Sequence, residues 1–362
     1  YEGVDQDGIA NNAGALTARA RLGFETGSIY GLRLLADIES IHHLGSDDFN
    51  DTINGKASFP VVPDPESTQL NRLQLQYQND SWLDAIVGRQ RIKLDNDRFI
   101  GNVGFRQNEQ TFDAARLDIS PADDLVGRYI YLNQVNRIFG EDSPVGRFDL
   151  KGHLLNVSYT PSPVTLVGYA YLIENEDAPA LSSKTLGMRL RAESLLNDDL
   201  SASYGVEVAQ QSDYENQLNN FDHLYYAVDG NLNWSGFTFG AAYEVLEGDG
   251  VTAFQTPYAT GHTFQGFADV FLTPPSGGIE DVSATLKYAT TVIGWVEKVG
   301  GFATYHDFSA QTGGLDYGRE IDFGLFAKLQ QGFSLEAKYA DYHSDGFATD
   351  RNKIWLTAQY SY

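Results

Sequence analysis

The sequence predicts an all-β fold, a transmembrane antiparallel up-and-down barrel of about 18 strands with short periplasmic turns and long extracellular loops. Three observations predict it: apolar residues recur with period two, short turns alternate with long polar connections, and tryptophans cluster at the short turns. No run approaches the roughly 18 to 20 apolar residues of a membrane helix, but strands of about 9 to 11 alternating residues cross a bilayer without one. The mean hydropathy of −0.32 is therefore compatible with a membrane protein.

Residues 15–25 read ALTARARLGFE, with Leu16, Ala18, Ala20, Leu22 and Phe24 on one face and Thr17, Arg19, Arg21, Gly23 and Glu25 on the other. That is a strand, not a helix. After Thr26-Gly27-Ser28 the alternation resumes over 29–40, with Tyr30, Leu32, Leu34, Ala36 and Ile38 opposite Gly31, Arg33, Leu35, Asp37 and Glu39. Two such runs joined by a short turn make a hairpin. The unit recurs as 68–78 with 82–91, 107–120 with 125–136, 153–160 with 164–174, 184–195 with 200–211, 222–233 with 237–247, 279–289 with 295–308, and 320–329 with 333–343. A last strand, 353–362, places Ile354, Leu356, Ala358, Tyr360 and Tyr362 on one face.

Short turns fall at Asn79–Ser81, Pro121–Asp124, Pro161–Pro163, Asn197–Asp199, Asn233–Gly236, Thr290–Gly294 and Gln330–Gly332. Between them lie long polar connections at 41–66, 92–106, 137–152, 175–183, 212–221, 248–278, 309–319 and 344–352. Trp82, Trp234 and Trp295 sit in or beside short turns, where an aromatic girdle would place them. The alternating runs number 17, whereas bacterial barrels close on an even number. Tyr1–Val4, before the polar stretch Asp5–Asn12, therefore reads as the upper end of a further strand, truncated at its start. All of 1–362 is expected to form one barrel domain. Tyr1 opens into polar sequence without a signal segment, which reads as a processed or trimmed chain.

The chain of 362 residues carries a formal charge of −24, from 25 basic and 49 acidic residues, and contains no cysteine. Such a balance opposes the phosphate field of nucleic acid. Thiolate catalysis and cysteine zinc sites are absent, and GxSxG, P-loop and Rossmann signatures are missing. His42-His43 lacks a third ligand at metal spacing. The reading is non-enzymatic, without a cofactor. The acidic clusters Ser46-Asp47-Asp48 with Asp51, and Glu174-Asn175-Glu176-Asp177, fall on outer loops, where they are either Ca²⁺ or lipopolysaccharide-bridging sites or simply solvated loop residues.

With the apolar faces toward lipid, the opposite faces carry Arg19, Arg21, Arg33, Arg72, Arg116, Arg128, Arg189 and Arg191, and the GRQR motif adds Arg89 and Arg91. Guanidinium stays charged at any relevant pH and offers a planar fork to carboxylates. The same faces carry Glu25, Asp37, Glu39, Asp118, Glu193, Glu207 and Glu244, so two readings stand: a solute-binding wall, or ion pairs bracing neighbouring strands. The segment 248–278, with Gly261, Gly266, Phe264, Phe267 and Phe271, is too aromatic for an exposed tip and is expected to fold into the barrel mouth, either narrowing it or packing as a plug. Phe264, Gln265 and Asp269, with His306 and Asp307 of the YHDF motif, are the candidate constriction residues.

In its YEGVDQDG, ALTARARLGFETG, GRQRIKLDNDRFIG, FRQNEQTFDAARL, GHTFQGFADVFLTPPSGGIED, ATYHDF and KYADYHSDGFATDRNKIWLTAQYSY segments, the chain resembles the alginate-export family of outer-membrane barrels. The resemblance covers nearly the whole chain. It implies a monomeric barrel of about 18 strands in the bacterial outer membrane, among lipid and lipopolysaccharide, passing anionic polysaccharide or oligosaccharide through an arginine-lined lumen, with periplasmic secretion partners. An uptake porin for small polar or anionic solutes is the alternative. Two features depart from the family pattern: the last residue is Tyr362 rather than Phe, and of the arginines only Arg319 and Arg351 lie beyond Arg191. One basic wall, rather than a ring, follows from that distribution.

Overall fold

The computed structural model describes residues 1–79, 82–292 and 294–362, and of Ser46 only the backbone. The turns expected at Asn79–Ser81 and Thr290–Gly294 therefore lie partly outside the described residues. The strands are β1 (Glu2–Gln6), β2 (Ala13–Glu25), β3 (Leu32–Asp48), β4 (Ser67–Gln78), β5 (Leu83–Gln90), β6 (Thr111–Ala122), β7 (Leu125–Asn136), β8 (Arg147–Tyr159) and β9 (Val164–Asn175). They continue as β10 (Ser183–Asn197), β11 (Leu200–Ser212), β12 (Asp222–Trp234), β13 (Phe237–Leu246), β14 (Ile279–Thr291), β15 (Val296–Ser309), β16 (Asp316–Leu329), β17 (Phe333–Ser344) and β18 (Arg351–Tyr360). Each pairs antiparallel with the next in one 18-stranded sheet, and β1 pairs with both β2 and β18, which closes the barrel. Among the described residues closure leaves no free sheet edge, so these ladders find partners without water.

β1 is the strand that the odd count of alternating runs demanded. Its register sets Glu2 against Trp355 and Gln6 against Arg351, and the Tyr1 amine donates to the Leu356 carbonyl at 2.8 Å. β3 runs to Asp48 rather than ending near residue 40, because its pairing with β2 continues to Ala15↔Asp47 and Gly14↔Asp48. β6 starts at Thr111 rather than 107, since Arg106–Gln110 belongs to a segment folded inward.

The outward face is apolar and exposed, as Leu22, Phe24, Leu34, Ile38, Val206, Phe239, Leu325 and Leu356 illustrate. A soluble protein rarely leaves a continuous apolar belt of that kind bare, whereas a bilayer core demands it. Trp82, Trp234 and Trp295 are exposed at the short-turn rim. Trp355 lies between outward Ile354 and Leu356, so alternation turns it inward, where it is buried.

A barrel of this strand number would by itself enclose an aqueous channel. Here residues 91–110 and 247–278 fold into it from the long-loop rim. Their Phe99, Ile100, Phe254, Tyr258, Ala268 and Phe271 join inward side chains of the wall, including Phe112, Ile130, Tyr169, Tyr225, Phe308 and Tyr342, in one buried apolar cluster. Residues of 248–278 thus pack against the inner wall of the barrel.

Candidate functional site

Inward loops must pair their backbone groups without bulk water. The two loops do so largely with each other: Ile100 and Tyr258 form a parallel bridge, Gly101 N–H donates to Tyr258 O at 2.9 Å, and Thr260 N–H donates to Asp97 O at 3.0 Å. The Gln110 amide donates to both Gly101 O and Tyr258 O. Gly101 is required at this crossing, because a Cβ there would collide with Thr260. Arg98 is fully buried and spans the loops and the wall, donating to Glu244 of β13 at 2.7 Å and to Gln265 at 3.0 Å, with its guanidinium 4.6 Å from the Phe264 ring. Two sequence-predicted constriction residues, Phe264 and Gln265, are therefore anchors for Arg98.

The next residues of the loop lean on β16. Phe267 N–H donates to Asp322 at 3.2 Å and Ala268 N–H to Glu320 at 2.6 Å. Gly266, at φ +79°, comes so close to the Glu320 carboxyl that any side chain would clash. His306 lies 3.8 Å from the same Asp322 and 3.0 Å from Asp281 of β14. Asp307 does not join them. Alternation turns it outward with Tyr305, whose hydroxyl donates to it, and against Val282. The expectation that both residues of the YHDF motif meet the loop is corrected for Asp307, since neighbours in a strand face opposite sides.

Asp269 is the centre of a buried ionic latch. It accepts from Lys353 of β18 at 2.7 Å and from His262 at 2.9 Å, with Arg106 3.8 Å away. Arg106 also binds Glu2 at 2.6 Å and Asp64 at 3.4 Å, and Lys353 lies 3.1 Å from Glu2. The latch thus ties β1, β18 and three inward segments together. Burial pushes the Asp269 carboxyl up, but Lys353, His262 and Arg106 outweigh it and hold the group far below the ordinary carboxylate range. Burial likewise opposes the charge on Arg106, and Glu2, Asp64 and Asp269 more than restore it.

His262 is stacked between Phe105 and Phe267, with ring centroids 4.0 and 4.6 Å away. Lys338 donates to its Nε2 at 2.9 Å, so Nδ1 carries the proton given to Asp269. A neutral ring is the consistent state, and burial brings its pKa down to about 4 against the pull of Asp269. The Lys338 ammonium itself sits 4.8 Å from the Phe267 ring and 5.1 Å from Trp355.

Most predicted lumen arginines face inward and are paired. Arg21 binds Glu39 and reaches Glu109 at 3.3 Å, Arg91 donates to Glu109 at 2.6 Å, and Arg72 donates to Asp37 at 2.6 Å. Arg116 and Arg128 share Asp118 at 2.9 and 2.8 Å, Arg189 lies 3.7 Å from Glu207, and Arg191 lies 4.0 Å from Asp229. Arg33 bridges Glu25 and Gln78 near the short-turn rim, while Arg19 donates to the carbonyls of Arg106 and Gln107. The bracing reading therefore describes much of their chemistry. Arg21, Arg72, Arg91, Arg116 and Arg128 nevertheless keep a fifth to a third of their side-chain surface open to the lumen.

Arg89 is a correction. It stands in register with outward Leu73 and with Asp113, to which it donates at 2.8 and 3.1 Å on the outer face. The GRQR motif suggested the lumen; the strand alternation did not. The residue survey from sequence also missed cations on the second half. Lys287, between outward Leu286 and Tyr288, and Lys338, paired across from Trp355, both turn inward. The alternation that located the arginines would have found them.

The outer acidic clusters are engaged locally. Asp47 pairs with Lys56 at 2.7 Å, Asp51 accepts from the backbone of Ile53 and Asn54, Glu174 and Glu176 meet Lys151, and Asp177 accepts from Asp149 N–H. Among the described residues, no group of three or more His, Asp or Glu is disposed to hold a metal ion.

The latch residues Arg106, His262, Asp269 and Lys353 line part of a vestibule of about 420 Å³, bounded by residues of the 49–66, 91–110, 137–146 and 247–278 segments, by Leu181 and by β18. Arg106, Arg137, Arg351 and Lys353 line it, against the single carboxylate of Asp269 among its described lining residues. Phe105, Ile138, Phe139, Pro257, Leu272 and Pro274 provide apolar walls. Glu2 and Asp64, just behind this lining, pair with Arg106 and Lys353.

No protein-family model matches the chain, and no curated protein matches it in sequence. Solved structures match it over almost its full length. OccK9 (OpdG) of Pseudomonas aeruginosa aligns with a TM-score of 0.76 at 14% identity, covering 99% of this chain and 96% of that one. OccAB2 of Acinetobacter baumannii aligns at 0.75 and 15% identity, covering 99% and 95%. OpdK of Pseudomonas aeruginosa, solved with vanillate, aligns at 0.73 and 13% identity, covering 99% and 95%. These matches overturn the resemblance to the alginate-export family, which rested on short segments, several of them loop strings such as GHTFQGFADVF that here fold into the barrel mouth. What the chain shares with the Occ and Opd proteins is the closed 18-strand antiparallel barrel.

Proposed function

We propose that this protein is a non-enzymatic outer-membrane channel through which small anionic solutes diffuse from the extracellular side. The observation that carries the reading is the vestibule: a cavity of about 420 Å³ framed by inward loops, in which Arg137 and Arg351 have no salt-bridge partner among the described residues while Arg106 and Lys353 are paired with Glu2, Asp64 and Asp269. A cavity of that size suits a solute of a few to a dozen or so heavy atoms, not a polymer. Below it, the half-open arginines of β2 to β7 and the inward Lys287 offer a succession of weak anion sites, so that a solute is handed on rather than held. The apolar belt and the tryptophans at the short-turn rim support an outer-membrane setting with long loops outward. Vanillate, named with OpdK, is itself a small carboxylate, which fits the same chemistry.

Liposome swelling tests the reading. Reconstituted protein is expected to admit small carboxylates faster than neutral sugars of equal size. Equal rates, or exclusion of the carboxylates, would overturn it.

A further inference from the structure

The four cations of the vestibule are of two kinds. Arg106 and Lys353 are already neutralised, since both reach Glu2 and Asp269. Arg137 and Arg351 are not directly paired: among the described residues neither has a salt-bridge partner, and only the carboxylates of Asp269 and Glu320 act on Arg351 from longer range. Arg137 donates one hydrogen bond, to Val145 O at 3.1 Å, and otherwise lies over the rings of Phe139 and Phe148 at 4.7 and 4.9 Å. Arg351 donates from Nη1 to the carbonyls of Ala268 and Asp269, and its solvent-shielded Nε has no partner.

A guanidinium offers five donors in a planar fork that matches a carboxylate. Holding it away from water with those donors unfilled costs free energy, which a bound anion relieves. Burial depresses the Arg137 pKa with only Tyr258 opposing it, as suits a cation without a counter-charge. The strand order separates the two groups. Arg137 follows β7 and Arg351 opens β18, with β1 to β6 between them around the wall. They therefore face the shared cavity from different sides, and apolar Phe105, Phe139, Pro257 and Leu272 also line it. A monoanion can fill one fork only.

We infer that the vestibule binds an elongated small dicarboxylate, with one carboxylate on Arg137, the other on Arg351 and the hydrocarbon spacer against the apolar walls. This rests on the reading of the protein as an anion channel and names its preferred solute class.

Adipate and hexanoate, six-carbon acids differing by one carboxylate, provide the probes. In planar bilayers, adipate is expected to interrupt the current at about tenfold lower concentration than hexanoate, the gain of one further charge-assisted contact. Arg137→Gln and Arg351→Gln should each abolish that preference. Equal potency of the two acids on the native protein, or an adipate preference that survives both substitutions, overturns the inference. The native comparison needs no substitution, so a variant that fails to fold leaves the test intact. Reversal potentials in the same membranes separate the levels: anion selectivity with equal potency refutes the dicarboxylate site alone, whereas cation selectivity refutes the channel reading as well.

Discussion

Replacing Asp269 by asparagine keeps the shape of the latch and removes its charge. At 2.7 Å from Lys353, with an effective dielectric constant of about 20, the Coulomb attraction is about 6 kcal/mol before desolvation is subtracted. The net cost of leaving buried partners uncompensated is about 3–5 kcal/mol, and here His262 and Arg106 lose their partner along with Lys353. At about 1.4 kcal/mol per factor of ten, the inward loop should open about 10² to 4 × 10³ times more often. Hydrogen exchange at the Phe267 and Ala268 amides, which the carboxylates of Asp322 and Glu320 protect, reads that frequency directly. Exchange of those amides in Asp269→Asn within threefold of the native rate would refute the latch.

Further outcomes follow from the same geometry. The folded pKa of His262, about 4, lies below the ordinary value near 6.5, so the latch is fully stabilised above pH 6.5 and loses that contribution as pH falls toward 4. Exchange at the same amides should accelerate over that window, and His262→Gln should flatten the dependence; an unchanged profile in the variant would assign the effect to another group. Arg89→Ala should leave conductance and ion selectivity unaltered and shift stability by about 1 kcal/mol or less, because its pair with Asp113 lies on the outer face. A selectivity change in that variant would place Arg89 in the lumen after all.

Much of the barrel was legible because alternation is a local property. The faces of Leu22, Arg21, Ile354 and Trp355 follow from their immediate neighbours, and the need for β1 followed from an even strand count. Local motifs were less reliable than alternation: GRQR suggested an inward Arg89, and YHDF suggested that His306 and Asp307 act together, although adjacent strand residues part to opposite faces. The lysines of the second half were equally readable but were overshadowed by the arginines. What no local pattern reveals is pairing across long separations. Arg98 finds Glu244, Arg106 finds Glu2, and Lys353 finds Asp269, and each contact exists only because barrel closure and loop folding bring distant segments together. The role of Asp269 could be suspected from its place in an aromatic loop, but its partners could not.

The global charge of −24 would favour a cation-selective pore if the bulk surface set selectivity. Arg137 and Arg351, which face the vestibule without a salt-bridge partner among the described residues, predict the opposite. The reversal potential of the purified protein in a planar bilayer, under a tenfold KCl gradient, distinguishes the two most directly. A potential displaced toward the chloride equilibrium value is the predicted result, and one displaced toward the potassium value would contradict the proposed channel.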